Sequence, residues 1–235
     1  MPDSWVMEWL VMTKGRLKSK QTLSDKAYIY IRDLIISGEV KGGELLTEKS
    51  IGEELKMSRT PVKRALTRLE QEGYLKSIDG VGTIVLELSI KDLADIYEVR
   101  IALEKIAVKT SIHNISDLEI DRLRTDLLKI LEDKKNNKYI TEDYLIEKDE
   151  EIHMLILENS DNNYIKNIYS SIKSQIDRYQ HEAYTLTDTI VESTEYHLEI
   201  LKCLKNRDLE ETLVILEEHL KWSYGVLVKE FIKLN

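Results

Sequence analysis

The chain has 235 residues, enough for one or two domains with sizeable cores, and its 33% of charged residues is typical of amphipathic helices. The net charge of −9 excludes a uniformly basic surface, although basic residues gather between positions 56 and 76. A single cysteine excludes an intrachain disulfide and a cysteine-based zinc site. No apolar run approaches the length of a membrane span, and the stretch at positions 5–12 contains Glu8, so we expect a soluble, cytoplasmic protein without a signal peptide.

The N-terminal part of the chain begins without a clear pattern. Residues 1–20 lack caps and periodicity, so three alternatives stay open: a flexible arm, an upstream start with Met12 as the true first residue, or an arm whose Trp5 and Trp9 dock on the body. The first helix is predicted over residues 24–37, with Ser24 as its cap and an apolar stripe ending at Gly38. Leu45 and Leu46 are expected to enter the core.

Residues 47–73 have the pattern of two short helices joined by a tight turn. Thr47 is placed to cap the first helix and Ser58 the second. Apolar residues recur at i, i+3, i+4 and i+7 in the second helix and predict its buried face: Val62, Ala65, Leu66 and Leu69. Its N-terminal end, where free N–H groups and the helix dipole attract phosphate, carries polar and basic residues: Ser58, Arg59, Thr60, Lys63 and Arg64.

A β-hairpin is predicted next. Residues 74–78 and 83–88 are typical of short strands, and the Asp-Gly-Val-Gly sequence at 79–82 is typical of a turn. Helix, helix and hairpin follow one another in a winged helix-turn-helix, whose second helix enters the major groove of DNA. We therefore predict a DNA-binding domain over residues 21–88, in preference to a helical hairpin with a merely solvated basic face.

Particular residues are candidates for DNA contact. Arg59 is the first choice for reading a base, because a guanidinium can donate two hydrogen bonds to guanine. Phosphate contacts are expected mainly from Lys49, Ser58, Thr60 and Lys63. In the wing, Gly80 allows the backbone to approach DNA closely. Arg68 lies two turns from the helix start, so we expect it to contact solvent or its own chain.

Residues 89–235 have a helical pattern throughout, so the predicted fold class is mainly α: a winged helix-turn-helix followed by an antiparallel helical bundle. Ser116 and Glu119 have capping-box spacing, and Asp208 and Glu211 resemble another capped start. The predicted helices cover residues 89–113, 116–135, 141–159, 162–185, 189–205 and 208–234.

The bundle contains a candidate metal site. Asp149 and His153 are four residues apart and therefore project from one helix face. His197 and His219 lie on the last two helices among apolar neighbours. Three imidazoles and one carboxylate can bind a divalent ion, although a histidine on a helix is more often an ordinary core or surface residue. A metalloenzyme is the less favoured alternative, since its candidate bases, Glu150 and Glu195, lie in no recognisable motif.

The run SRTPVKRALTRLEQEGYL at residues 58–75 closely resembles the pattern of GntR-family transcription regulators, in which a Ser-Arg-x-Pro-Val-Arg run opens the recognition helix. The whole likeness covers about residues 20–230 and is to the FadR type with a metal-binding FCD effector domain. It implies DNA contacts at Lys49, Ser58, Arg59, Thr60, Lys63 and Gly80. Lys49 and Lys63 stand where arginine is usual, and lysine keeps the charge but loses the two-pronged hydrogen bonding.

The resemblance extends to the effector domain. It implies that Asp149, His153, His197 and His219 hold the metal. We expect zinc, with nickel, cobalt or manganese as alternatives. The sequence at 97–100 matches the segment in which an arginine faces the effector, so Arg100 is expected to bind a carboxylate, with Arg178 as a second candidate. A surface ion pair between Arg100 and Glu104 is the simpler alternative.

The resemblance implies a homodimer that reads a roughly palindromic operator, usually as a repressor, and that responds to a small organic acid bound at the metal. The effector would change the packing of the helix around Arg100 and so the relative placement of the two DNA-binding domains. An alternative is a metal sensor, in which the ion itself is the effector.

Overall fold

The computed structural model describes residues 21–87, 89–184 and 189–234. The predicted arm at residues 1–20 lies outside this part of the chain. Two compact units follow one another, the first ending at Leu86 and the second beginning at Glu87.

The first unit is a winged helix-turn-helix. Its helices are α1 (Leu23–Ile36), α2 (Glu48–Glu54) and α3 (Arg59–Gln71), and its strands are β1 (Leu45–Leu46), β2 (Leu75–Ile78) and β3 (Gly82–Val85). The strands form an antiparallel sheet in the order β1-β3-β2. The predicted hairpin is therefore joined by a third strand. Leu46 is buried as predicted, but the prediction for Leu45 is wrong, because neighbouring residues of a strand face opposite sides and Leu45 is 49% exposed.

The start of α1 also differs from the prediction. Thr22, not Ser24, is the N-cap: the Thr22 side chain accepts the N–H of Asp25, and the Asp25 carboxylate accepts the N–H of Thr22. Such a capping box needs a carboxylate three residues after the cap, which Thr22 finds at Asp25 and Ser24 does not find at Ala27.

The second helix of the motif agrees with its pattern. α3 begins after Ser58, and Val62, Ala65, Leu66 and Leu69 are its buried residues. Gly73 follows the helix with a φ of 77°, the left-handed conformation that ends many helices. The buried side chains pack against α1, so the opposite face of α3 lies at the surface.

The second unit is helical throughout its described part. Its helices are α4 (Ile90–Asn114), α5 (Asp117–Lys135), α6 (Glu142–Glu158), α7 (Asn163–Tyr184), α8 (Ile190–Lys205) and α9 (Leu209–Leu234). The capping box of Ser116 and Glu119 forms as predicted, and the Asp208 carboxylate accepts the N–H of Glu211. Helix α9 packs against α4 and α8, and α6 packs against α4, α7 and α8. The predicted fold class is confirmed.

None of the helices in residues 21–87, 89–184 and 189–234 is both long enough and apolar enough for a membrane span.

Candidate functional site

The N-terminal end of α3 presents an exposed basic surface. Ser58, Arg59, Thr60, Lys63 and Arg64 are all exposed. In the part of the chain that the structure describes, Arg59, Lys63 and Arg64 make no side-chain hydrogen bond or ion pair. Lys49 on α2 is also exposed and lies 3.9 Å from Glu53, a loose pair that water weakens. Three guanidinium or ammonium groups are therefore free to meet an anion at a helix N-terminus.

Arg68 instead contacts its own domain, as predicted. Its Nε donates to Glu72 at 3.0 Å, and its guanidinium lies 3.7 Å from the centre of the Tyr28 ring. Tyr28 in turn donates its hydroxyl hydrogen to Glu72 at 2.6 Å. These contacts join the C-terminal part of α3 to α1.

The wing is tied to α3 by a carboxylate. Glu70 accepts the backbone N–H of Ser77 at 2.7 Å and the Ser77 hydroxyl at 2.8 Å. At the tip, Val81 donates to the carbonyl of Ile78, and Gly80 has a φ of 75° with no atom within 4 Å of the place a Cβ would take. The backbone of the wing tip is therefore open to a partner that comes close.

Three histidine rings meet in the interior of the second unit. The Nε2 atoms of His197 and His219 are 3.0 Å apart, and those of His219 and His153 are 3.3 Å apart. All three side chains are buried, and one nitrogen of each lies within 4.8 Å of the others. The three rings therefore face the interior of the bundle.

Asp149 lies at the edge of this cluster. Its Oδ1 is 3.6 Å from Nε2 of His197, and the carboxylate is held by Ser193 at 2.9 Å and by Gln180 at 3.1 Å. Burial would raise the pKa of Asp149, but His197, His153 and Arg100 outweigh it and the pKa is lowered. A charged carboxylate therefore lies beside the histidines.

Arg100 and Glu104, which both belong to α4, lie behind His153. Arg100 donates from Nε to Glu104 at 2.8 Å and from Nη1 to the Tyr97 hydroxyl at 3.3 Å. The other Glu104 oxygen is 2.7 Å from Nδ1 of His153. The expected pair of Arg100 and Glu104 forms, but it is buried rather than at the surface, because both residues fall on the helix stripe that faces the core.

The charges of this group are fixed by its burial and its neighbours. Burial would raise the pKa of Glu104, yet His153 and Arg100 lower it to about 2. Burial lowers the pKa of His197 to about 4, against the pull of Asp149, and burial also holds the pKa of His219 well below its usual range. At neutral pH, His197 and His219 are therefore neutral, the form that binds metals.

The residues present fit a divalent metal ion. Donor atoms bound to one ion at about 2.1 Å lie roughly 3.0–3.4 Å apart, depending on the coordination number, which is the spacing of the Nε2 atoms. Without an ion, converging imidazoles satisfy one another poorly, and Nδ1 of His219 is buried with no hydrogen-bond partner among the described residues. The donor set of three nitrogens and a nearby carboxylate suits zinc and its neighbours.

Several polar residues around the histidines were not predicted from the sequence to belong to the site. Glu104 carried a signal: it continues, with Arg100, the stripe formed by Leu93, Tyr97 and Ala107. Gln180 and Ser193 carried none, since only the fold brings them to Asp149. Arg178 is buried on α7, and its role stays a prediction.

A small cleft opens beside the cluster, between α5, α6 and α8. Asp149, Ser193, Thr194 and His197 form its polar lining, together with Lys148. Arg100 does not line it. The cleft leaves space for about one water molecule next to two of the four predicted metal-binding residues, Asp149 and His197.

Comparison with known proteins matches both units to families. Residues 23–85 match the family described as "Bacterial regulatory proteins, gntR family", and residues 95–221 match the "FCD domain". The chain is 30% identical over 192 residues to the gluconate operon transcriptional repressor of Bacillus subtilis strain 168, covering 81% of this chain and 75% of that one.

Solved structures share the fold. E. coli McbR/YncC superimposes with a TM-score of 0.72 at 22% identity, over 90% of this chain and 99% of the other. A structure described as the metal-free FCD domain of TM0439 gives a TM-score of 0.54 at 22% identity, over 62% of this chain and 98% of that domain.

Proposed function

The chain belongs to the GntR family of bacterial transcription regulators and carries an FCD domain, and we propose that it is a repressor whose operator affinity is controlled by a small organic acid bound at a metal centre. Its relatives are regulators of transcription and not enzymes, as the sequence predicted. The Bacillus subtilis relative is named as a repressor of a gluconate operon, and gluconate is a small hydroxycarboxylate, which supports both the direction and the effector class proposed here.

The free cations at the start of α3 carry the DNA-binding part of the proposal. Arg59 reads a base, most effectively guanine, while Lys63 and Lys49 contact phosphates. The hydroxyls of Ser58 and Thr60 and the first N–H groups of α3 add further phosphate contacts. Gly80 brings the wing backbone against the neighbouring groove or strand. Such a protein acts in the cytoplasm, where bacterial DNA lies.

We propose a homodimer on a roughly palindromic operator. Helices α4 and α7 pack side by side, and they carry exposed apolar side chains: Val99 and Ile106 on α4, and Tyr164 and Ile168 on α7. Apolar groups on neighbouring helices suit a self-complementary contact between two copies of this chain. Two copies would present two α3 helices to two half-sites.

Asp149, His153, His197 and His219 would hold the metal ion, with zinc as the first choice and nickel, cobalt or manganese as alternatives. When bound, the ion would supply a Lewis acid that attracts a carboxylate oxygen of the effector. Ser193 and Gln180 hold the Asp149 carboxylate in place. Burial keeps the imidazoles of His197 and His219 neutral and therefore ready to coordinate.

Arg100 is proposed to bind the effector carboxylate. Its Nε and Nη1 are used by Glu104 and Tyr97, while Nη2 makes no hydrogen bond to any described residue. The free edge of a buried guanidinium is a strong site for a carboxylate. Arg178, which is also buried, is the second candidate.

A chain of contacts leads from the site to the start of α4. Gln180 on α7 donates to Asp149, and the preceding residue, Tyr179, bonds to both the N–H and the carbonyl of Ser89 at 3.2 and 2.9 Å. Ser89 is the N-cap of α4 and follows closely on the DNA-binding unit. We propose that a shift of α7 on effector binding moves this end of α4 and changes the placement of the two DNA-binding domains.

The test uses the full-length protein, stripped of metal, and an operator obtained by selection from random DNA. Operator affinity is measured by fluorescence anisotropy with zinc alone, with gluconate or related acids alone, and with both. The proposal expects weakened binding only when acid and zinc are present together. A change with zinc alone would support the metal sensor instead, and operator affinity that responds to none of these additions would overturn effector control.

Tyr179→Phe tests the route of coupling. This variant keeps the ring and loses the hydroxyl that contacts Ser89. We expect zinc affinity and operator affinity without acid to stay at wild-type levels, while the acid weakens operator binding less. Tyr139→Phe, at an exposed tyrosine outside the site, is the matched control. An unchanged response to acid in Tyr179→Phe would show that coupling takes another path.

A further inference from the structure

We propose that Glu104 is a positioning residue of the metal centre, which fixes the tautomer and orientation of His153 and is itself held by Arg100. This inference rests on the proposed metal-binding function and adds a residue to it. It assigns to α4, which supplies none of the four proposed metal-binding residues, a direct part in the affinity of the site.

The hydrogen bond between Glu104 and His153 determines which ring nitrogen carries the hydrogen. The Glu104 carboxylate is ionised and can only accept, so Nδ1 of His153, at 2.7 Å, must be the donor. In a neutral ring, Nε2 is then left with its lone pair. That lone pair lies on the side of His219, whose Nε2 is 3.3 Å away. The hydrogen bond therefore favours the tautomer whose Nε2 can bind a metal.

Arg100 completes the arrangement by holding the carboxylate. Its Nε donates to Oε1 of Glu104 at 2.8 Å while His153 takes Oε2, so both oxygens are engaged and the carboxylate plane is fixed. The side chains of Arg100, Glu104 and His153 are each no more than 2% exposed. Charge-assisted hydrogen bonds in such a dry setting are short and directional. A carboxylate behind a metal-binding histidine orients the ring and makes its other nitrogen a stronger donor.

Glu104 has a feature that a purely structural ion pair does not require. Arg100 and Glu104 lie four residues apart on one helix and would satisfy each other there. The second carboxylate oxygen nevertheless faces α6, where it meets the ring of His153 and no cation of a lysine or arginine among the described residues. The pair of Arg100 and Glu104 is thus directed at α6, the helix that carries His153.

The first test compares zinc affinity among variants of the metal-stripped full-length protein, by competition with a chelator. Glu104→Gln keeps size and shape but removes the charge. We expect its zinc affinity to fall about 10- to 100-fold, the usual effect of losing such a partner. Glu217→Gln is the matched control. Glu217 forms an ion pair with Lys105 that joins α4 to α9, the helix of His219. Among the described residues, Glu217 makes no contact with a histidine ring. His153→Ala marks the full loss of a ligand.

The zinc affinities distinguish a failure of the positioning role of Glu104 from a failure of the metal centre itself. Weakened binding in Glu104→Gln, with Glu217→Gln at the wild-type level, supports the positioning role. Wild-type affinity in Glu104→Gln together with loss in His153→Ala overturns that role and leaves the metal centre standing. No zinc binding in the wild-type protein overturns the metal centre and this inference with it.

A second measurement needs no folded Glu104 variant. In metal-free wild-type protein with ¹⁵N-labelled histidine, the ring nitrogens of His153 are assigned by comparison with His153→Gln. Protonation at Nδ1 with a bare Nε2 is the expected signature. Protonation at Nε2 would overturn the proposal whatever the zinc affinities are.

Discussion

The two units place the side chains proposed to bind DNA or metal in opposite surroundings. In the DNA-binding unit, Arg59, Lys63 and Lys49 extend into solvent from a surface that the core merely supports. In the helical unit, Arg100, Glu104 and the three histidines are themselves part of the interior. Exposed groups can be changed one at a time with small cost to the fold, whereas buried polar groups depend on one another and on the core. Mutations should therefore separate binding from stability in the first unit and combine them in the second.

The largest effect is expected from Arg100→Met. This change leaves the Glu104 carboxylate buried without its cation, and breaking a buried pair in this way costs about 3–5 kcal/mol. Unfolding of the metal-free protein by urea, followed by circular dichroism, measures the loss. Lys202→Met breaks an exposed pair with Glu199 and should cost roughly 0–1 kcal/mol. Similar losses in the two variants would mean that the buried pair contributes no more to stability than the exposed pair.

His197→Ala comes next, through the metal. An ion that binds only the folded state stabilises it by about 2.7 kcal/mol at a concentration 100 times its Kd. We expect zinc to raise the Tm of the wild-type protein and to leave that of His197→Ala nearly unchanged. Elemental analysis should find less metal in the variant. His113→Ala, at an exposed histidine on the last turn of α4, should respond to zinc like the wild type; normal metal content in His197→Ala would place the ion elsewhere.

Arg59→Ala should separate function from fold in the DNA-binding unit. A guanidinium that grips guanine is worth about 1–3 kcal/mol of discrimination, so operator affinity should fall while the Tm stays constant. Fluorescence anisotropy with operator DNA measures the first and a thermal melt the second. Arg124→Ala removes an exposed arginine from α5 and should leave operator affinity as it was. If both arginine variants bind the operator equally well, α3 is not the reading helix.

The smallest effect is expected from Lys63→Ala. Losing one phosphate contact should reduce the slope of log K against log salt by about one and weaken specific and non-specific binding alike. Titrations at several salt concentrations, with operator and with unrelated DNA, measure the slope. A loss confined to the operator would mean that Lys63 reads a base.

Local pattern predicted the parts of the molecule that depend on near neighbours in the chain. The buried face of α3 follows from Val62, Leu66 and Leu69 at helical spacing, and it emerged as expected. The histidines on α6, α8 and α9 were brought together as candidates by their chemistry and by a family resemblance. Contacts between distant segments escaped: β1 is only two residues long and exists because β3 pairs with it.

The helical unit shows the same limit more strongly. The hydrogen bond from His153 to Glu104 spans 49 positions, and that from Ser193 to Asp149 spans 44. Such contacts depend on how α4, α6 and α8 pack, which no short window of sequence contains. For Arg100 the sequence left two alternatives, a surface pair or a pocket residue. The structure has the pair but buries it, because Arg100 occupies a core-facing position that hydrophobic residues flank.

The indole of Trp222 offers a way to identify an ion at the proposed metal centre. Its ring lies 6.0 Å from the imidazole of His219, at an angle of 27° to it. At this distance an open-shell ion such as copper, nickel or cobalt quenches indole emission, while closed-shell zinc leaves it bright. Two of the three tryptophans, Trp5 and Trp9, precede the described residues and can be replaced by phenylalanine. The remaining fluorophore would then report, without any label, which class of ion has entered the bundle.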